Sequence, residues 1–69
     1  MMAKSLELNG MIHTKFKSEA EMADALGWNR QRLNKITNRR KEPNLDEVYA
    51  MSRVLDRSFI EIAKIFLEK

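Results

Sequence analysis

The residues with the clearest chemical meaning in this 69-residue sequence are cations gathered in one short segment. Between Trp28 and Glu42 the chain carries six arginine or lysine residues and one acid, whereas the rest carries seven cations and nine acids. The six cations are Arg30, Arg32, Lys35, Arg39, Arg40 and Lys41. A short basic block on a slightly acidic body indicates a polyanionic partner, but a basic, solvated helix face would give the same pattern.

Side chains that can read nucleic-acid bases occur in the same block. Arginine can pair with the edge of guanine in the major groove, and glutamine or asparagine can pair with adenine. The candidates for base reading on double-stranded DNA are Arg30, Gln31, Asn34 and Lys35. Basic and amide residues around them are candidates for contacts with the phosphate backbone, namely Lys17, Asn29, Arg32, Asn38, Arg39, Arg40 and Lys41.

The first turn of the helix predicted for this segment contains Arg30 and Arg32 but no acid. A helix dipole favours anions at the N-terminus by about 0.3–1 kcal/mol each, so these cations oppose it. Three other helices whose starts are marked by capping patterns all carry an acid in their first turn. Residues that lower the stability of a helix in this way often occur at functional sites, so the exception favours a binding role for this helix.

Five helices are predicted to position these side chains, and no segment shows the alternation typical of a strand. Apolar spacing predicts helices over about 4–16, 18–26, 30–38, 45–55 and 59–67, with an alternative break of the first at Asn9 and Gly10. Gly27 is expected to end the second helix in a left-handed conformation, and Asn29 to cap the third. Capping-box patterns mark three of the starts: Ser18 with Glu21, Asn44 with Glu47, and Ser58 with Glu61.

Apolar residues at helical spacing define a predicted core. It contains Leu8, Ile12, Phe16, Met22, Ala23, Leu26, Trp28, Leu33, Ile36, Leu45, Val48, Met51 or Ser52, and Leu55. The apolar arc of the last helix, over 58–67, is wider than one core contact needs, so part of it is a candidate partner surface.

The segment from Ala20 to Ile36, AEMADALGWNRQRLNKI, resembles the core of the lambda-repressor-like helix-turn-helix family, which includes phage repressors and Cro proteins. Segments 43–48 and 55–62 are similar to the start of that family's fourth helix and the link into its fifth. The resemblance implies an all-α domain over 1–69, built as a bundle of five short helices with a helix-turn-helix over 18–38. It also implies a transcription regulator that binds a palindromic operator as a homodimer. By their position in that family, Phe59, Ile62, Ala63 and Phe66 are expected in the core. This leaves Ile60, Ile65 and Leu67 as the predicted homodimer interface, the alternative being that they fold onto the same core.

Three positions depart from that family's pattern. Glu19 stands where glutamine commonly helps to fix the protein on a phosphate, which argues against that contact here. Arg39 stands where glycine commonly follows the recognition helix, so Asn38 or Arg39 must form the turn. Thr37 replaces a glutamate that commonly pairs with an arginine of the first helix, and no arginine precedes Arg30.

The composition argues against several other classes of protein. With no cysteine and one histidine, His13, the chain offers no metal site or disulfide, and neither a cofactor nor a small-molecule ligand is expected. No paired acids or histidine-activated nucleophile indicate an enzyme. No apolar run reaches the roughly 20 residues of a membrane span, so we expect a cytoplasmic protein without a membrane partner. The alternative function is a protein-binding module of this fold, such as an antitoxin or anti-repressor.

Overall fold

The computed structural model describes residues 6–67, and for Leu6 the backbone alone. It contains α1 (Leu6–Lys15), α2 (Glu19–Leu26), α3 (Arg30–Thr37), α4 (Leu45–Leu55) and α5 (Phe59–Leu67), with no strand in this span. The predicted all-α, five-helix fold is confirmed. Helix α1 continues through Asn9 and Gly10 without a break, while the predicted start at Lys4 lies outside the described residues. Over 6–67 no helix has the length and apolar character needed to cross a membrane.

Side-chain caps fix the helix starts, as the sequence predicts. The hydroxyl oxygen of Ser18 accepts from the backbone N–H of Glu21, and Oδ1 of Asn44 accepts from that of Glu47. The reciprocal bond of a capping box forms in α4, where Glu47 accepts from the Asn44 N–H at 3.0 Å, and in α5 at 3.4 Å. In α2, Glu21 instead accepts from the backbone N–H of Lys17 at 2.9 Å. Each start therefore satisfies backbone donors that a helix leaves unpaired.

All five helices contribute to one apolar core. Its members are Leu8, Met11, Ile12, Met22, Ala23, Leu33, Ile36, Val48, Met51, Leu55, Ile62 and Ile65. Five predicted core residues are partly buried and pack against it: Phe16, Leu26, Trp28, Ala63 and Phe66. Two others are exposed, since the side chain of Leu45 is 74% exposed and that of Phe59 is 37% exposed. Both residues stand first in their helices, where the core-facing stripe has not begun: it starts at Glu47 in α4 and at Ile62 in α5.

The prediction that Ile65 belongs to a dimer surface is wrong, because its side chain is 3% exposed and packs in the core. Ile65 follows Ile62 by three residues, so helical geometry places the two on the same inward face of α5. Ile60 and Leu67 are seven residues apart on the opposite side, and they remain 67% and 76% exposed. Of the three predicted interface residues, Ile60 and Leu67 therefore keep the exposure that a dimer contact requires.

Two turns determine how α3 enters and leaves the bundle. Gly27 takes a φ of 77°, the left-handed conformation that the sequence predicts, and turns the chain from α2 towards α3. After α3 the left-handed residue is Arg39, with a φ of 61°, whereas Asn38 has a φ of −92°. A side chain in this region costs about 1–2 kcal/mol. Arg39 has compensating contacts, because its guanidinium donates to the Ile65 carbonyl at 3.2 Å and lies 6.0 Å from the Phe66 ring centre.

Candidate nucleic-acid interface

Helix α3 is held by three buried side chains and presents the rest of its surface to solvent. Leu33 and Ile36 are fully buried, and Thr37 is 2% exposed with its hydroxyl donating to the Asn34 carbonyl. The first turn has no acid, and Asn29 caps it through Oδ1 and the backbone N–H of Arg32. The exposed residues of α3 are Arg30, Gln31, Arg32, Asn34 and Lys35. The four base-reading candidates are therefore all exposed on one short, firmly anchored helix.

The start of α2 meets α3 in a shallow concavity of about 210 Å³, lined by Glu19, Arg30, Gln31 and Asn34. Here the side-chain N–H of Asn34 donates to Oε1 of Glu19 at 3.4 Å. Its carbonyl oxygen accepts from the Asn38 amide at 2.9 Å. Both ends of Asn34 are thus engaged within the protein, and pairing with both polar groups of an adenine would compete with these two exposed bonds for the orientation of the amide.

Three base-reading candidates keep their hydrogen-bonding groups available. Within residues 6–67, the side chains of Arg30, Gln31 and Lys35 make no hydrogen bond or ion pair with the protein. Arg30 offers a planar fork of donors, Gln31 a donor and an acceptor, and Lys35 a flexible ammonium. These groups can form hydrogen bonds with the donors and acceptors that base edges present in the major groove.

The predicted phosphate-binding residues fall into two groups. In the part of the chain that the structure describes, the side chains of Lys17 and Arg40 have no partner. Arg32 and Lys41 instead share Oε2 of Glu47, at 3.0 Å from Nε and 2.9 Å from Nζ. The guanidinium of Arg32 also lies 4.3 Å from the centre of the Trp28 ring. Together with Arg39, whose guanidinium contacts α5, this means that three of the predicted cations also bind other parts of the protein.

Comparison with known families adds an independent observation. The family model described as helix-turn-helix matches residues 17–62, more than half of the chain. The chain belongs to the lambda-repressor-like helix-turn-helix family. This confirms the resemblance inferred from the sequence, and the family is one of DNA-binding transcription regulators. No characterised protein and no solved structure matched the chain.

The helix-turn-helix match covers every base and phosphate candidate, because all of them lie between Lys17 and Lys41. It extends over α2, α3 and α4 and ends at Ile62, four residues into α5. Leu67, the end of the exposed apolar face of α5, lies beyond it. The match therefore includes every candidate for base and phosphate contacts but not the whole exposed apolar face of α5.

Glu47 contacts two of the candidate phosphate-binding residues, which the sequence did not predict, since Glu47 was assigned only a capping role. Its carboxylate is 1% exposed and accepts from the backbone N–H of Asn44 as well as from Arg32 and Lys41. Burial alone raises the pKa of Glu47, but the bonds from Lys41, the Asn44 backbone and Arg32 outweigh it and hold the pKa below its ordinary value.

The lowered pKa of Glu47 predicts a loss of stability in acid. A depressed carboxyl pKa contributes stability that is present above the ordinary value of 4.5 and is lost as the pH falls through the folded-state pKa. We expect the urea midpoint of unfolding to decrease when the pH is lowered from about 7 to about 3. The decrease should be larger in the wild type than in Glu47→Gln, which has no carboxylate at this position. Equal falls in the two proteins would show that other carboxyls determine the acid transition.

Proposed function

We propose that this chain is a sequence-specific regulator of transcription that places α3 in the major groove of double-stranded DNA. The observation that carries the proposal is the outward face of α3, where Arg30, Gln31 and Lys35 keep their polar groups available on a helix anchored by Leu33 and Ile36. Direct reading of base edges requires a rigid helix whose side-chain donors and acceptors are not already bonded within the protein. Asn34 joins this set when its bonds to Glu19 and Asn38 open.

The phosphate backbone would be contacted on both sides of α3. Lys17 lies before α2 and Arg40 after α3, so both ends of the helix-turn-helix carry an unpaired cation among the described residues. Asn29 and Asn38 retain amide or carbonyl groups beyond those used in the cap and in the bond to Asn34. Arg32, Arg39 and Lys41 are exposed enough to add to the positive potential while bound to the protein. Such contacts supply affinity without sequence information.

A homodimer of the phage repressor or Cro type on a palindromic operator is the most specific form of the proposal. One recognition helix reads only a few base pairs, and paired half-sites one helical turn apart, about 34 Å, extend the site. Ile60 and Leu67 support this assembly, because they form an exposed apolar face on α5 opposite the core. Each aliphatic side chain buried in the dimer would contribute about 1.5–3 kcal/mol.

A protein-binding module is the second candidate, and the exposed apolar side chains of α4 favour it. Leu45 and Tyr49, one helical turn apart, are 74% and 53% exposed, which adds to the apolar surface of α5. In that case the apolar faces would hold the main partner, and the basic face of α3 would be secondary.

Selection from a pool of random DNA duplexes tests the proposed function. The regulator should enrich one motif, and a dimer should enrich it as a palindrome whose half-sites lie about one helical turn apart. A single, non-palindromic motif would support DNA reading without the dimer. A pool that stays random through repeated rounds would contradict the proposal and favour the protein-binding module.

A further inference from the structure

We infer that Glu47 is a positioning residue of the DNA interface: by holding Arg32 and Lys41 it determines how much positive charge the molecule offers to the phosphate backbone. This inference rests on the proposed DNA-binding function and assigns a role to an acid that does not itself face DNA. Glu47 lies on α4, fifteen residues after Arg32 of α3 and six after Lys41 of the connecting loop. One carboxylate therefore joins three consecutive parts of the chain around the basic block.

The two oxygens of Glu47 have separate tasks. Oε1 accepts from the Asn44 N–H at 3.0 Å and completes the cap of α4. Oε2 takes no part in the cap and accepts from both Arg32 and Lys41. Glu61 provides the comparison: within residues 6–67 its capping carboxylate pairs with one cation, Arg57, and its side chain is 46% exposed. A buried oxygen with two cationic donors is therefore more than a helix cap requires.

The burial pattern places the negative charge inside and the positive charges at the rim. The Glu47 side chain is 1% exposed, whereas those of Arg32 and Lys41 are 44% and 45% exposed. The guanidinium of Arg32 is fixed by its Nε bond on one edge and by the Trp28 ring on its face, which leaves its terminal N–H groups without a partner among the described residues. Arg32 can therefore still offer these N–H groups to a phosphate, whereas the ammonium of Lys41 is bound to Glu47, and neutralising Glu47 releases one further cation.

The test compares the salt dependence of binding to a non-specific duplex for the wild type, Glu47→Gln and Asp46→Asn. Glutamine keeps an oxygen for the cap but cannot hold two cations, whereas Asp46 is its exposed neighbour in the same helical turn and gives the same change in net charge. We expect Glu47→Gln to steepen the slope of log K against log[salt] by about one, since one more cation becomes available to a phosphate. Asp46→Asn should keep the wild-type slope.

A second variant keeps the inference testable if Glu47→Gln folds poorly, as circular dichroism would show. Lys41→Gln should reduce the slope by less than Arg40→Gln does, because Lys41 is already paired with Glu47 whereas Arg40, without a partner among the described residues, should account for about one unit of slope. Equal reductions by Lys41→Gln and Arg40→Gln, or equal slopes for Glu47→Gln and Asp46→Asn, would overturn the role of Glu47 and leave the proposed function standing. A wild type without salt-dependent binding would overturn the proposed function and this inference with it.

Discussion

Replacing Ile65 by lysine is expected to unfold the domain. The Ile65 side chain is 3% exposed and packs in the core with Ile62. The substitution removes about 1.5–3 kcal/mol of apolar burial and also forces an ammonium group into an apolar site. A single core in a chain of this size rarely supplies more than about 3–5 kcal/mol, so the loss is comparable with the whole free energy of unfolding. Circular dichroism at the helical band, with urea titration of the wild type, measures it.

Ile60→Lys is the matched control on the same helix. Ile60 is 67% exposed on the opposite face of α5, so the lysine stays in solvent and the urea midpoint should equal that of the wild type. In the proposed dimer it should abolish cooperative binding to an operator with two half-sites. A folded Ile65→Lys domain would contradict the core position of Ile65. Unchanged cooperative binding of Ile60→Lys to the operator would show that the dimer surface does not lie on α5.

Alanine at Arg30 or at Gln31 is expected to have the second large effect, on sequence preference. Each side chain projects from α3 without a partner in the described part of the chain, so truncation removes contacts to DNA and leaves the fold intact. We expect a loss of about 1–3 kcal/mol on the preferred site and a relaxed preference at one base pair. Fluorescence anisotropy on the selected site and on its single-base variants measures both quantities.

The control for lost positive charge is Lys64→Ala, which removes an exposed cation from α5. It should lower affinity slightly and equally on all duplexes, without changing base preference. Uniform weakening by Arg30→Ala, of the same size on every duplex, would assign Arg30 to a phosphate. Unchanged binding by both α3 variants would contradict the base-reading role of this helix.

The helices could be predicted from the sequence because their boundaries depend on local chemistry. Ser18, Asn29 and Asn44 cap through backbone groups three residues away, and Gly27 adopts a conformation that few other residues tolerate. Information within one turn of helix was enough for each of these features. The turn after α3 was expected from the family resemblance instead, which left Asn38 and Arg39 as alternatives, and it is Arg39 that adopts the left-handed conformation.

Features that depend on tertiary packing were harder to predict. Helix α5 is apolar around most of its circumference, so composition could not distinguish buried Ile65 from exposed Ile60. The pairing of Arg32 with Glu47 spans fifteen residues and depends on how α3 packs beside α4, which no local pattern encodes. For the same reason, the sequence presented Arg32 and Lys41 simply as phosphate-binding residues and gave no sign that both are bound by one carboxylate.

The central claim is that α3 reads the base sequence of double-stranded DNA. The most direct test is a comparison of the wild-type affinity for the selected duplex and for a scrambled duplex of the same composition, at several salt concentrations. We predict that the selected duplex binds at least about a thousand-fold more tightly, and that binding to both weakens linearly on logarithmic axes as salt rises. Equal affinity for the two duplexes at every salt concentration would contradict the claim.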